Sequence, residues 1–318
     1  MSDSELQTLL AELHDPSNLS WKDETYSIER AADLDAAERE LYIRRLIELA
    51  QHGDEKAMLS LGALKVTEAI DPLLRISQAQ AERASYARRA LVWLGRGQDV
   101  IADVAHDATS SQQMSVRAAA VLNLGQLGGP IATQALDACL DDVDSTVRSM
   151  AADALIELFH LQKYSLGADG TRELRTPLQR MTLLLHSAIE PLREVGKREL
   201  RAVIAALTAG ATPESAGLTW SATMPESLRM QIPMALGDVE VPLPIDELSK
   251  VDGADRKWIE ALLAAGMVRE DARLPAALAR LDARWTLPAL DAVAATAEPG
   301  EFRDAVEAAR RSLASSPN

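Results

Sequence analysis

Along residues 54–161, apolar side chains come back every three or four positions, in blocks that themselves come back about every 31 residues. In "MSVRAAAVLNLGQLGG" the set Val116, Ala119, Ala120, Leu122 and Leu124 marks one helix. Gly128, Gly129 and Pro130 then break the pattern before a second helix from Ile131 to Leu140. In "DSTVRSMAADALIEL" Val147, Met150, Ala151, Ala154, Leu155 and Leu158 keep the same period, with Asp144 or Ser145 placed to cap the start. Val116-Arg117 and Val147-Arg148 are 31 residues apart. Upstream, "YARRALVWLGRGQDVIADVA" and "MLSLGALKVTEAIDPLL" fit the same mould, and Leu61-Gly62, Leu94-Gly95 and Leu124-Gly125 mark the copies. Each copy has room for one helical hairpin. A hairpin that cannot bury its apolar face alone stacks on its neighbours, so the predicted fold is all-α, a right-handed α-α superhelix.

The flanks give the domain plan. Helices near 6–13 and 34–50 are expected to cap the array within 1–53, with Leu41, Ile43, Leu46, Ile47 and Leu49 covering the first hairpin and Gly53 as a stop. The repeats occupy 54–161, and turn residues Gly167, Asp169 and Gly170 mark the boundary that follows. A degenerate helical repeat is expected over 162–211 and a proline-rich irregular insertion over 212–245. Helical hairpins return over 246–314, built on "DRKWIEALLAAGMV", "RLPAALARLDAR", "TLPALDAVAATA" and "EFRDAVEAARRSLA".

Composition agrees with helices packed on small side chains, because aromatics are only 3% while alanine and leucine are abundant. One cysteine, Cys139, cannot form an internal disulfide. The N-terminus lacks a basic start and apolar run, and no stretch approaches the roughly 20 apolar residues that span a bilayer. A cytoplasmic, reducing setting is expected, with no membrane partner. The net charge of −15 is uneven: residues 1–160 carry 26 Asp and Glu against 14 Lys and Arg, or −12, and residues 161–318 carry 22 against 19, or −3. The first half should repel phosphate backbones and attract cationic surfaces, which disfavours nucleic acid.

The acids give the sharpest local feature. Asp99, Asp103 and Asp107 recur at i, i+4 and i+8 along the predicted second helix of one hairpin, which keeps them on one edge while Val100, Ile101, Val104 and Ala105 face the core. The next copy offers Asp137, Asp141 and Asp142, and the preceding one Glu68 and Asp71. Two readings stay open: a solvated polar face, or a negative stripe that binds a partner. Trp220, in the loop "GLTWSATMPES", is a candidate exposed anchor, though packing of that loop onto the core explains it as well.

Catalytic signatures are missing. Acids strung along a helix diverge instead of converging on a cation, and the five histidines make no paired metal motif. Cys139 sits on an alanine-leucine face beside carboxylates, an environment that deactivates a thiol. "GQLGGP" has no following Gly-Lys-Ser/Thr and is a turn. The basic cluster Arg193, Lys197, Arg198 and Arg201 is partly balanced by Glu194, four residues before Arg198. No cofactor, metal or enzymatic activity is therefore expected.

The Val-Arg openings followed by alanines and leucines, "DSTVRSMAADAL" and "MSVRAAAVLNLGQLG", resemble the first helix of HEAT repeats. Their short period is similar to that of the bacterial HEAT-like repeats related to phycobilin lyases. The resemblance implies a solenoid whose second helices line a concave surface, and a role in protein recognition, scaffolding or inhibition; fold alone does not dictate which. The expectation that follows is a non-catalytic protein-binding solenoid facing a basic partner. In its most concrete form it is an immunity protein that occludes a toxin such as a nuclease. A phycobilin-lyase-like cofactor chaperone and a HEAT-like nucleic-acid module are the alternatives.

Overall fold

The fold was derived from a computed structural model, which describes residues 2–14, 25–31, 33–78, 83–161, 177–212, 240–251 and 253–315, with isolated positions between 216 and 238. All regular elements among these residues are helical, and the chain divides into two compact units, 1–158 and 159–318.

Unit 1 opens with α1 (Ser2–His14), α2 (Ile28–Ala31) and α3 (Ala36–Gln51). Asp35 caps α3 in a reciprocal box with Glu38, each side chain bonding the other's backbone N–H. Tyr42, Leu46 and Ala50 form the buried face of α3, while Leu41, expected inside, is 44% exposed. The hairpins follow as α4 (Glu55–Ala63) with α5 (Ile70–Ser77), α6 (Ala84–Trp93) with α7 (Ile101–Ser110), and α8 (Met114–Leu127) with α9 (Gly129–Cys139), closed by α10 (Ser145–Leu158). First helices stack in order, α4 on α6, α6 on α8 and α8 on α10, and each second helix also touches the first helix that follows it. This nearest-neighbour packing is the solenoid logic that the periodicity predicts.

Small residues set the stacking distance. A Cβ on Gly62 of α4 would stand 2.8 Å from the Ala90 Cα of α6, and one on Gly125 of α8 would stand 3.0 Å from the Ala154 Cβ of α10. Backbones can approach this closely only without a side chain between them. Gly95 has a different job. It follows α6 at φ +76° with open space around it, and its counterpart in the preceding hairpin is Lys65 at φ +56°. Both helices end the same way, with Val66 N–H on the Leu61 carbonyl and Arg96 N–H on that of Leu91. The three Leu-Gly pairs are therefore not equivalent, because Leu61-Gly62 corresponds to Leu91-Val92.

Asp144 resolves the cap of α10, accepting from the N–H groups of Thr146 at 2.8 Å and Val147 at 3.4 Å. Those bonds hold its carboxyl below the usual range.

Unit 2 contains α11 (Pro177–Leu185), α12 (Glu190–Thr208), α13 (Ile245–Leu248), α14 (Gly253–Gly266), α15 (Arg273–Arg280), α16 (Leu287–Thr296) and α17 (Glu301–Ser315). Its core joins Leu184 and Leu192 with Ile259, Leu263, Leu278, Leu290 and Leu313. Helix α11 packs on α12 and α14, α12 on α16, and α17 on α15 and α16. Gly196 of α12 lets that helix meet α11, where a Cβ would lie 2.7 Å from the Leu185 amide nitrogen.

Candidate functional site: acids at the joints, acids at the surface and a charged groove

The second helices of unit 1 carry a clear internal register. Leu73, Val104 and Ala135 are all buried, as are Ser77, Ala108 and Cys139, so equivalent core positions recur every 31 residues. In that register Asp103 falls opposite Pro72 and Gln134, Asp107 opposite Ile76 and Ala138, and Asp137 opposite Arg75 and His106. Only Glu68 and Asp99 coincide. Of the two readings the sequence left open, a continuous negative stripe would need acids at equivalent positions; each hairpin shows acids, but in this register they do not line up into one row.

Two of the acids are not surface groups. Asp107 accepts from Arg88 Nη1 at 2.6 Å, with both side chains about seven-eighths buried. Asp142 takes a two-pronged bond from Arg117, Nε to Oδ2 at 2.7 Å and Nη2 to Oδ1 at 3.0 Å, and only 8% of its side chain is exposed. Its Oδ1 also accepts the Asp144 N–H at 2.8 Å. Asp142 is thus engaged on both oxygens and Asp107 on Oδ2, each largely shielded from water, so both are committed to internal pairs rather than presented at the surface.

Their arginines reveal what the Val-Arg opening is for. Arg117 Nη1 donates to the carbonyls of Ser111 and Gln112, Arg148 Nη1 to those of Asp142 and Val143, and Arg193 Nη1 of unit 2 to those of Ser187 and Ala188. Each arginine reaches back six and five residues and satisfies carbonyls of the loop entering its own helix. Arg88 makes a related bond, its Nη2 donating to the carbonyl of Ser77, the last residue of α5, at 2.8 Å. In Arg88 and Arg117 the same guanidinium also grips a carboxylate at the far end of its own hairpin, so one side chain ties that end to the chain leaving the preceding hairpin.

The other acids behave differently. Asp99 lies in a 3-10 turn, Gly97–Asp99, ahead of α7 rather than on it, and forms an exposed pair with Arg96. Glu68 occupies the matching turn before α5 and accepts from the Thr67 hydroxyl. Asp71 on α5 and Asp103 on α7 are exposed and make no ion pair among the described residues. Asp137 is half-buried on α9, and Asp141 is exposed just after it. Trp220 lies outside the described residues.

Cys139 is buried with its thiol directed at the Ala108 carbonyl, 3.4 Å away. Burial, with Asp142 nearby, pushes the thiol up to about 11, so almost none is thiolate near neutral pH. No group of three or more potential metal ligands is gathered among the described residues.

Unit 2 holds a feature the sequence did not announce, a groove of about 1010 Å³ between α11, α12, α14 and the start of α16. Glu260, 6% exposed, fixes one wall by accepting from Trp285 Nε1 at 2.7 Å and Arg256 Nε at 3.0 Å. Arg180 pairs with Glu199 on the other. Of the basic cluster seen in the sequence, Lys197 is buried on Glu194 at 2.7 Å and Arg193 is spent on backbone carbonyls. The expected Glu194–Arg198 pairing gives way to Glu194–Lys197. Arg198 stays exposed in the groove. The signal was the cluster itself; Glu260 and Trp285, 25 residues apart, carried none.

Comparison with known families places residues 75–156 within the family model described as HEAT repeats. That span runs from the last turn of α5 through α6, α7, α8 and α9 into α10 as far as Ile156, and contains Arg88, Arg117 and Arg148. Neither a curated protein nor a solved structure matches the chain. No helix among the described residues is long and apolar enough to cross a membrane.

Proposed function

We propose that the chain is a non-catalytic binding scaffold whose unit 1 receives a protein partner on the outward side of its second helices. What carries this reading is the division of the unit 1 carboxylates: Asp107 and Asp142 close joints, while Asp71 and Asp103 project uncommitted from the second helices of successive hairpins. With a surplus of −12 in residues 1–160, that face favours a partner with a basic surface, and complementary charge speeds encounter more than it tightens the final complex. Glu68, Asp99, Asp137 and Asp141 extend the same field at its edges.

The narrower form of this reading is an inhibitor or immunity protein that covers a cationic active site, such as that of a toxin nuclease. The test is affinity capture with the full chain followed by charge reversal at Asp71 and Asp103, residues whose loss touches no joint. Capture of basic proteins that falls at least tenfold in the D71K/D103K variant supports the reading. Equal capture by both proteins overturns it.

A further inference from the structure

We infer that the groove of unit 2 is a second binding site, shaped for a short acidic peptide segment bearing an apolar side chain; this goes beyond the basic partner assigned to unit 1. Three observations converge on it. The first is how its charges are committed. Of the groove's four carboxylates, Glu199 is held by Arg180, Glu194 by Lys197, and Glu260 by Arg256 and Trp285, while Glu190, at one end, is exposed and has no ion pair among the described residues. Arg198 and Lys257 line the same groove, are exposed, and have no ion pair among the described residues. Internal pairing therefore leaves two cations against the single carboxylate of Glu190, a surplus of positive charge at the end of the groove away from it.

The second observation is the wall. Trp285 is half-buried and its indole is oriented by the bond to buried Glu260, so it presents a fixed apolar plate at no further ordering cost. Val195, Pro191 and Leu287 continue that apolar surface. Tryptophan and arginine together in a recess are the side chains that dominate protein interfaces. The third is the far end. Glu190 lines the groove and also a neighbouring recess of about 390 Å³ walled by Ile189, Met267, Val293 and Phe302. Arg198 stands two helical turns further along α12, roughly 12 Å at 1.5 Å per residue. The groove thus runs from an acidic, apolar end to a basic one, a polarity that an extended peptide can match and a uniformly charged phosphate backbone cannot. Four carboxylates in the lining argue further against nucleic acid.

Random dodecapeptides displayed on phage and selected on the intact chain test the site. Unit 1 is expected to enrich basic sequences and the groove a separate acidic pool containing leucine or an aromatic residue. A synthetic peptide from the acidic pool, labelled with fluorescein, should lose at least tenfold in affinity by anisotropy against R198E/K257E and stay within twofold against D71K/D103K. Both substitutions replace exposed side chains, and an unchanged melting curve certifies the fold. The inference fails if no acidic pool arises, if that pool binds R198E/K257E as well as the parent chain, or if sedimentation shows the chain self-associating in a way that the R198E/K257E change abolishes. Failure of the basic pool alone would instead count against the reading of unit 1.

Discussion

The joints of unit 1 and the groove of unit 2 are made from the same materials, arginine and carboxylate, and put them to opposite use. At the joints each arginine sits over loop carbonyls and, in two cases, a nearly buried aspartate, so the charges are turned inward and matched one to one. In the groove Glu194, Glu199 and Glu260 are matched internally but Arg198 and Lys257 are not. Residue type alone does not separate a structural from a binding charge. What separates them is whether the neighbouring backbone already uses the group.

That contrast breaks most sharply at Arg117. Replacing it with alanine strands the buried Asp142 carboxylate and frees two carbonyls, a loss of about 3 kcal/mol of unfolding free energy in a urea titration. The matching change in the groove, Arg198→Ala, is expected to move stability by less than about 0.5 kcal/mol, the usual scale for an exposed site. Next in size is Gly62→Ala, where the added methyl meets the Ala90 backbone, and backbone cannot swing aside; about 1–3 kcal/mol follows from overpacking. Gly95→Ala meets no neighbour and pays only for its positive φ, so about 1 kcal/mol is expected and the two glycines should rank in that order.

A smaller effect concerns acid. Side-chain bonds from Arg273 hold the Asp271 carboxyl below its usual range. A carboxyl depressed in the folded chain adds stability above its unfolded value and gives it up as pH falls through the folded one. Asp271→Asn should therefore lower the melting temperature at pH 7 and leave it nearly unchanged near pH 2, flattening the acid limb. The smallest expected effect is on stability in D71K/D103K, whose melting curve should overlay that of the parent chain while partner capture falls.

Much of the fold was legible from periodicity. The chain breaks at Gly128 between α8 and α9, with Gly129 and Pro130 opening α9 two residues before the expected start, and α14, α16 and α17 fall where "DRKWIEALLAAGMV", "TLPALDAVAATA" and "EFRDAVEAARRSLA" predict. Register was harder, because Leu-Gly looks alike in sequence whether the glycine makes close contact, as at 62, or ends a helix, as at 95. The acids failed for a related reason. Spacing by four puts Asp103 and Asp107 on one edge of α7, but it does not say that Asp107 turns towards Arg88 of the adjacent helix. The Val-Arg signature marked the repeat openings without its partner, since Asp142 lies 25 residues downstream in another loop. The groove was least visible, because its wall depends on Glu260 meeting Trp285 across separate helices.

The most direct test of the central claim, that these arginines clamp the far end of their own hairpin and withdraw its aspartate from the surface, is a double-mutant cycle. Arg117→Ala, Asp142→Asn and their combination are compared by urea unfolding. Strong coupling is predicted, about 2 kcal/mol or more, with the double variant little worse than Arg117→Ala alone. Additive losses with no coupling would contradict the account and return Asp142 to the exposed acids.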